Sequence, residues 1–300
     1  MRIIFLGTPD FAVASLQILV ENNYQIVGVV TAPDKPAGRG KQLQISEVKK
    51  YALSKNLRLL QPEKLKNEDF LEELASLKAD LQIVVAFRML PELVWAMPPL
   101  GTFNLHASLL PKYRGAAPIN WAIINGESET GLTTFFLQHE IDTGNVIFQE
   151  KESISINDTA GDLYERLMLK GAKLVLKTVQ AIEKGNITTQ MQTGEITHAP
   201  KIFRETCQID WHKNSDEIHN FVRGLAPYPT AWTSLQGKNC KIFAVTPSKT
   251  ITKIANVGDW CIEDQKLAFR SKDTWIEILD LQLEGKKRMF VSEFLKGFRL

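Results

Sequence analysis

Through residues 1–185, short apolar runs alternate with longer segments whose apolar residues recur at helical spacing. Strands interleaved with helices in this way bury their apolar faces in α/β architectures built around a mostly parallel sheet. RIIFLG, at residues 2–7, reads as a first buried strand. Thr8 is then placed as N-cap and Pro9 as the first helical residue of PDFAVASLQILVEN. QIVGVVT follows as a second strand, and SEVKKYALSKN as a second helix capped by Ser46. NEDFLEELASLKAD gives a third helix and LQIVVAF a third buried strand.

From Gly101 the rhythm changes to FNLHASLLPKYRG, a helix around AAPINWAIING, and two strands, LTTFFLQH and NVIFQEKE, on either side of a turn at Asp142-Thr143-Gly144. The long amphipathic helix DLYERLMLKGAKLVLKTVQAIEKG comes next, with Gly185 at its C-cap. Residues 186–206 are rich in Thr, Gln and Gly, have no clear periodicity, and read as a linker. Beyond them lie a short helix, SDEIHNFVRGL, and the strand-like runs KIFAVT, DWCIE, KLAFR and WIEILDLQ. The expected fold is a Rossmann-like, mostly parallel sheet with helices on both faces over residues 1–185, then a small C-terminal β-barrel of OB-like type over residues 207–300.

At 300 residues with 44% hydrophobic and 23% charged residues, two such domains have enough apolar material for their cores. MRIIFLG meets Asp10 within a few residues and lacks a cleavage-like site, so it reads as a strand rather than a leader. No segment approaches the ~20 apolar residues of a membrane span. The three cysteines, Cys207, Cys240 and Cys261, fit neither a CxxC pair nor a disulfide framework, and a cytoplasmic location is expected. Charge is unevenly distributed: residues 1–200 carry 20 Lys and Arg against 22 Asp and Glu, residues 201–300 carry 16 against 12. A basic C-terminal third suits a polyanionic partner, and equally an ordinary solvated surface.

The turn GTPDF has one glycine where a dinucleotide fingerprint needs three, so NAD is not expected, although Asp34 follows the second strand where a ribose-binding acid sits. GRGKQ fails as a phosphate loop for lack of the first glycine and of Ser or Thr at Gln42. Instead PDKPAGRGK sets Lys35, Arg39 and Lys41 on a glycine-rich loop, either a plain basic surface or an arm for phosphate or an aminoacyl end. In FNLHASLLPKYRGAAP, Asn104 and His106 are two apart and share one face of an extended strand, an amide beside a titratable imidazole. SLLP exposes backbone groups in a turn near Pro111. Asp142 in HEIDTG suits a turn by residue type, and no cluster there has metal-ligand spacing, so no metal is expected.

GTPDFA, PDKPAGRGK, FNLHASLLPKYRGAAPINWAIINGE, ETG and DTG, in this order and spacing, resemble the methionyl-tRNA formyltransferases, a family of folate-dependent formyltransferases. The resemblance runs from Met1 to about Gly185 and, more diffusely, through GLAPYPTAW to the end. It implies a catalytic trio of Asn104, His106 and Asp142; folate contacts along Ser108, Leu109, Leu110 and Pro111; and an aminoacyl-tRNA loop containing Lys35, Arg39 and Lys41. Its donor would be 10-formyltetrahydrofolate and its acceptor initiator methionyl-tRNA, with residues 207–300 as a tRNA-binding domain. A monomer with no membrane association is expected. Two positions depart from the family pattern near the folate pocket: Arg88, where a small residue is expected, and His139-Glu140, where an apolar or glycine pair is.

The chemistry then needs no covalent enzyme intermediate, because a neutral amine attacks a formyl carbon unaided once it is positioned. Asn104 would donate to the developing oxyanion with His106 as a second donor, and Asp142 would hold His106 or a water and help move the proton. Two other readings remain: a formyltransferase acting on an amino sugar or a nucleotide precursor, and a noncatalytic RNA-binding protein, which the intact trio disfavours.

Overall fold

The computed structural model describes residues 1–37, 42–248 and 250–297. The chain forms two compact units, one comprising Met1–Gly115, Gly131–Glu152 and Tyr164–His198, the other Ala116–Thr130, Ser153–Leu163 and Ala199–Leu300.

The first unit is organised by a seven-stranded sheet. Its strands are β1 (Arg2–Gly7), β2 (Gln25–Val30), β3 (Leu59–Leu60), β4 (Leu81–Val85), β5 (Thr102–His106), β6 (Glu129–Phe136) and β7 (Val146–Ser153). They lie in the order β7-β6-β5-β4-β1-β2-β3. β1 pairs in parallel with β2 and β4, β2 with β3, and β4 with β5, while β5 and β6 are antiparallel. Ile3 through Leu6 are wholly buried, the signature of a central strand covered on both faces. On one face Ile4, Leu6, Val30 and Val84 pack with Phe70 and Leu74 of α3 (Glu68–Ser76) and Val94 of α4 (Glu92–Trp95). On the other lies α6 (Ala160–Glu183), whose Thr178 hydroxyl is 3.0 Å from that of Thr134 on β6.

The expected elements recur with informative shifts. α1 (Asp10–Glu21) starts one residue later than expected, with Pro9 rather than Thr8 at its N-cap and no capping side chain there. Pro9 has extended backbone, and the amide of Phe11 is met instead by the Asp10 carboxylate and the Tyr164 hydroxyl, at 3.0 and 3.1 Å. Ser46 does cap α2 (Glu47–Ser54), accepting from Lys49 N at 3.0 Å. Gly185 follows α6 at φ +67°, where its N–H and that of Asn186 close on Ile182 and Ala181. The two-residue strand β3 and the four-residue α4 are too short to give a periodic signal.

In the second unit, α7 (Ser215–Leu225) is entered through a reciprocal capping box between Asn214 and Glu217 and lies beside α5 (Pro118–Ile124), where Asn120 donates to Gly224 O at 2.8 Å. Buried Arg223 donates to the carbonyls of Ser155 and Asp158, at 3.2 and 2.9 Å. The strands are β8 (Ala231–Leu235), β9 (Lys238–Pro247), β10 (Trp260–Glu263), β11 (Lys266–Arg270), β12 (Trp275–Leu283) and β13 (Met289–Phe290). They run β8-β9-β12-β11-β10 with antiparallel pairing throughout, and β13 adds to β12. Ile242, Leu267, Phe269, Ile276, Ile278 and Leu281 form a core with Ile218, Val222 and Leu225 of α7, and Trp211 stacks on Phe269 at 4.6 Å. α8 (Val291–Gly297) ends the described chain. All three cysteines are free and buried, and burial pushes the Cys240 thiol up to about 12. Among the described residues no helix is long and apolar enough to cross a membrane.

Candidate active site

The parallel strands β1, β4 and β5 end at Gly7, Val85 and His106, and the strand order reverses direction between β1 and β4. Open α/β sheets hold ligands outside the carboxyl ends of their strands near such a switch point. Leu6, Val84, Asn104 and Phe135 are successive ladder partners, which puts Asn104, and His106 two residues on, on the face of the sheet covered by α3 and α4. Asn104 is half-buried, and among the described residues no hydrogen bond engages its side-chain amide.

The His106 ring is buried and held from both sides. Nε2 lies 2.8 Å from the carbonyl oxygen of Tyr113. A carbonyl only accepts, so Nε2 carries the proton, and in the neutral ring the lone pair sits on Nδ1. Nδ1 faces Asp142, whose Oδ2 is 3.9 Å away. That same oxygen accepts Gly115 N–H at 2.9 Å. Asp142 has φ +55°, a left-handed conformation that Asp tolerates better than most residues. Two residues on, a Cβ on Gly144 would stand 1.6 Å from Phe136 O, so only glycine lets the loop pass this close to the end of β6.

Residues outside the motifs complete this arrangement. Gln192 donates from Nε2 to the carbonyls of Asp142 and Gly144, at 2.8 and 2.9 Å, and accepts from the Arg114 guanidinium at 2.6 and 3.2 Å. Thr197 accepts Tyr113 N–H on its hydroxyl at 2.8 Å and Arg114 N–H on its carbonyl at 3.0 Å. Gln192 and Thr197 lie in the polar stretch without periodicity, and their partners are about 50 to 85 residues away in the chain, so no local pattern marks them.

SLLP is fastened rather than open. Thr133 donates to Ser108 O at 2.7 Å and accepts Leu110 N–H at 3.1 Å, while Gln149 donates to Leu110 O at 2.8 Å. The Ser108 hydroxyl closes on Lys112 O at 2.6 Å, and Ser108, Leu110 and Pro111 are buried with Leu109 half-buried. Arg88 uses its guanidinium to tether Glu63 O, at 2.9 Å, and Pro62 O, and burial lowers its pKa. His139 is exposed, 3.4 Å from Glu92 and edge-on to Trp95. Neither departure from the family pattern touches the His106 and Asp142 contacts.

Asp34 is not free for a ribose. Lys49 bonds to it at 2.5 Å and Gln61 at 2.9 Å, and these two partners hold its carboxyl below the usual range. Lys35 is exposed at the start of a short strand, Lys35–Ala37, that pairs with Gln42–Gln44. Arg39 and Lys41 lie outside the described residues. Among the described residues no group of His, Cys, Asp and Glu is arranged to hold a metal ion.

Residues 1–179 match the family model described as formyl transferase, and residues 201–299 match that of the formyl transferase C-terminal domain. A methionyl-tRNA formyltransferase of Bacteroides thetaiotaomicron is 53% identical over 310 residues, covering 100% of this chain and 96% of the relative. One from Phocaeicola vulgatus is 56% identical over 313 residues, with the same coverage. Among solved structures, HypX from Aquifex aeolicus in complex with tetrahydrofolic acid aligns at TM-score 0.68 and 20% identity, over 99% of this chain and 48% of that one. An N-formyltransferase from Helicobacter canadensis in complex with folinic acid and dTDP-3-aminofucose aligns at 0.69 and 24%, over 96% of this chain and 100% of that one. The two structures share the fold, whereas the sequence relatives match nearly end to end at more than half identity, and the chain accordingly belongs to the formyl transferase family and, within it, to the methionyl-tRNA formyltransferases.

Proposed function

We propose that this chain transfers the formyl group of 10-formyltetrahydrofolate to the α-amino group of methionine esterified to initiator tRNA. The observation that carries the chemistry is the His106 imidazole, with its Nε2 proton fixed on Tyr113 O and its Nδ1 turned to Asp142. The Asn104 amide donates to the formyl oxygen as negative charge develops there during attack by the amine. With the Nε2 hydrogen committed to Tyr113 O, the neutral His106 ring has none for the formyl oxygen, so in place of a second oxyanion donor it acts as the base: Nδ1 takes a proton from the attacking nitrogen, and Asp142 steadies the imidazolium. The proton passes to the folate nitrogen as its bond to the formyl carbon breaks, leaving N-formylmethionyl-tRNA and tetrahydrofolate. Ser108 to Pro111 form one wall of the donor pocket.

Lys35, Arg39 and Lys41 engage the aminoacyl end, and the basic residues of 207–300 hold the tRNA body. The uncombined cysteines suit a reducing cytoplasm. The deciding assay offers formyl donor with initiator and elongator methionyl-tRNA side by side, and a dTDP-amino sugar as the competing acceptor. Transfer to the sugar but not to the tRNA would overturn the assignment. Replacing Asn104, His106 or Asp142 by Ala is expected to lower kcat roughly a hundredfold or more with folding intact. Near-normal turnover in all three would sink the mechanism.

A further inference from the structure

Segment 190–197 has the composition of a linker, yet it is built into the surroundings of His106. Gln190 exchanges backbone hydrogen bonds with Val146 at 2.8 and 2.9 Å, which lays the segment beside the start of β7. Gln192 and Thr197 then reach the two opposite sides of the imidazole through intermediaries. Thr197 holds the peptide of Tyr113, whose carbonyl receives His106 Nε2. Gln192 holds the carbonyl of Asp142, the residue whose carboxylate faces Nδ1, and that of Gly144 two residues on. Both side-chain donor hydrogens of Gln192 are occupied, and its oxygen is filled by Arg114, itself next to Tyr113 in the chain.

We propose that Gln192 and Thr197 are positioning residues that fix the proton-bearing side and the carboxylate-facing side of His106, so that the segment is part of the catalytic apparatus. This rests on the formyl-transfer reading given above. The physical case is one of tolerance. Asp142 sits in a left-handed conformation, which its residue type tolerates but does not impose, on a loop with a glycine two residues on. Two hydrogen bonds from one planar amide to carbonyls on either side of Thr143 select it. Misplacement of a reacting group by about 1 Å costs up to about a hundredfold in rate, so fixing this loop acts on kcat rather than on substrate affinity.

The test uses the full-length enzyme with wild type in parallel. Gln192→Leu removes all four hydrogen bonds at similar volume. Gln192→Glu keeps an acceptor for Arg114 but loses the donor to Asp142 and Gly144. Thr197→Val removes only the hydroxyl that receives Tyr113 N–H. Both Gln192 variants are expected to lose at least about tenfold in kcat, with KM for folate and for methionyl-tRNA within about threefold of wild type. Thr197→Val is expected to alter the nitrogen chemical shifts of the His106 ring, which report how firmly the proton is held on Nε2. A fully active Gln192→Leu enzyme, raised KM with unchanged kcat, or a Gln192→Glu enzyme matching wild type would each overturn the proposal. Should Gln192→Leu fail to fold, Gln192→Glu and the ring signals of Thr197→Val decide it by the same criteria. Wild type inert towards methionyl-tRNA would reject the reaction assigned to the site, whereas active wild type with unaffected variants rejects the positioning role alone.

Discussion

Asn104 and His106 were the most legible residues of the site, because a period of two on an apolar strand places them together without any tertiary information. Asp142 was legible as a turn residue and, through the family resemblance, as a partner of the imidazole; its distance of 3.9 Å from Nδ1 comes from the fold. Tyr113 and Gln192 escaped the sequence for physical reasons. Tyr113 contributes a backbone carbonyl, which any residue type supplies, and Gln192 acts across 50 positions of chain. Gly144 offers a sharp test at this scale. A methyl group there collides with Phe136 O at 1.6 Å, and that backbone oxygen belongs to a paired strand, so the loop has to move instead. Gly144→Ala is expected to shift Asp142 away from His106 and lower kcat by about a hundredfold. A crystal structure of the variant with the loop unmoved, together with wild-type turnover, would contradict this account.

Elements were legible where their own residues carry both period and boundary. Ser215–Leu225 forms a helix over the span its apolar spacing and acidic first turn indicate, and KLAFR is a strand at residues 266–270. β8, with Trp232 and Leu235 as its only large apolar residues, gives a weak strand signal; in the fold Gln236 and Gly237, at φ +49° and +74°, join it to β9 in the left-handed pair that tight hairpins require. α7 also carries a pH-sensitive group. His219 has its pKa lowered, first by burial and then by the neighbouring Arg223, against a smaller opposing effect of Asp216. A histidine whose folded pKa lies below its unfolded value of 6.5 binds fewer protons when folded. Its contribution to stability is therefore complete above pH 6.5 and is lost as pH falls through the folded value. Urea midpoints measured from about pH 7.5 down to about pH 5.5 are expected to fall more steeply for wild type than for His219→Gln. Parallel curves would show that His219 ionises as freely in the folded protein as in the unfolded one.

Across the whole molecule, the family matches follow the order of the chain while the compact units do not. Residues 116–130 and 153–163 belong with the C-terminal unit, held there by Asn120 on Gly224 and by Arg223 on Ser155 and Asp158. These hydrogen bonds join residues 65 to 104 positions apart, beyond the reach of any local pattern. A cut near residue 205 therefore leaves α5 without α7, and tRNA binding is better tested by point substitutions in the intact chain. In the turn between β12 and β13, Lys286 and Lys287 are exposed, and among the described residues neither has a carboxylate partner. The next residue, Arg288, is committed to Asp280 at 2.6 Å and stacks on Phe243 at 4.0 Å. If residues 207–300 hold the tRNA by phosphate attraction, removing both lysines should weaken binding alike for initiator and elongator tRNA. The slope of log K against log salt should become shallower by about one for each phosphate that is no longer neutralised. Formyl transfer at saturating tRNA should be unchanged, because neither lysine belongs to the His106 site. Titrations of Lys286→Ala/Lys287→Ala at several salt concentrations measure both quantities, and a slope equal to that of wild type would move the phosphate-binding surface elsewhere on the protein.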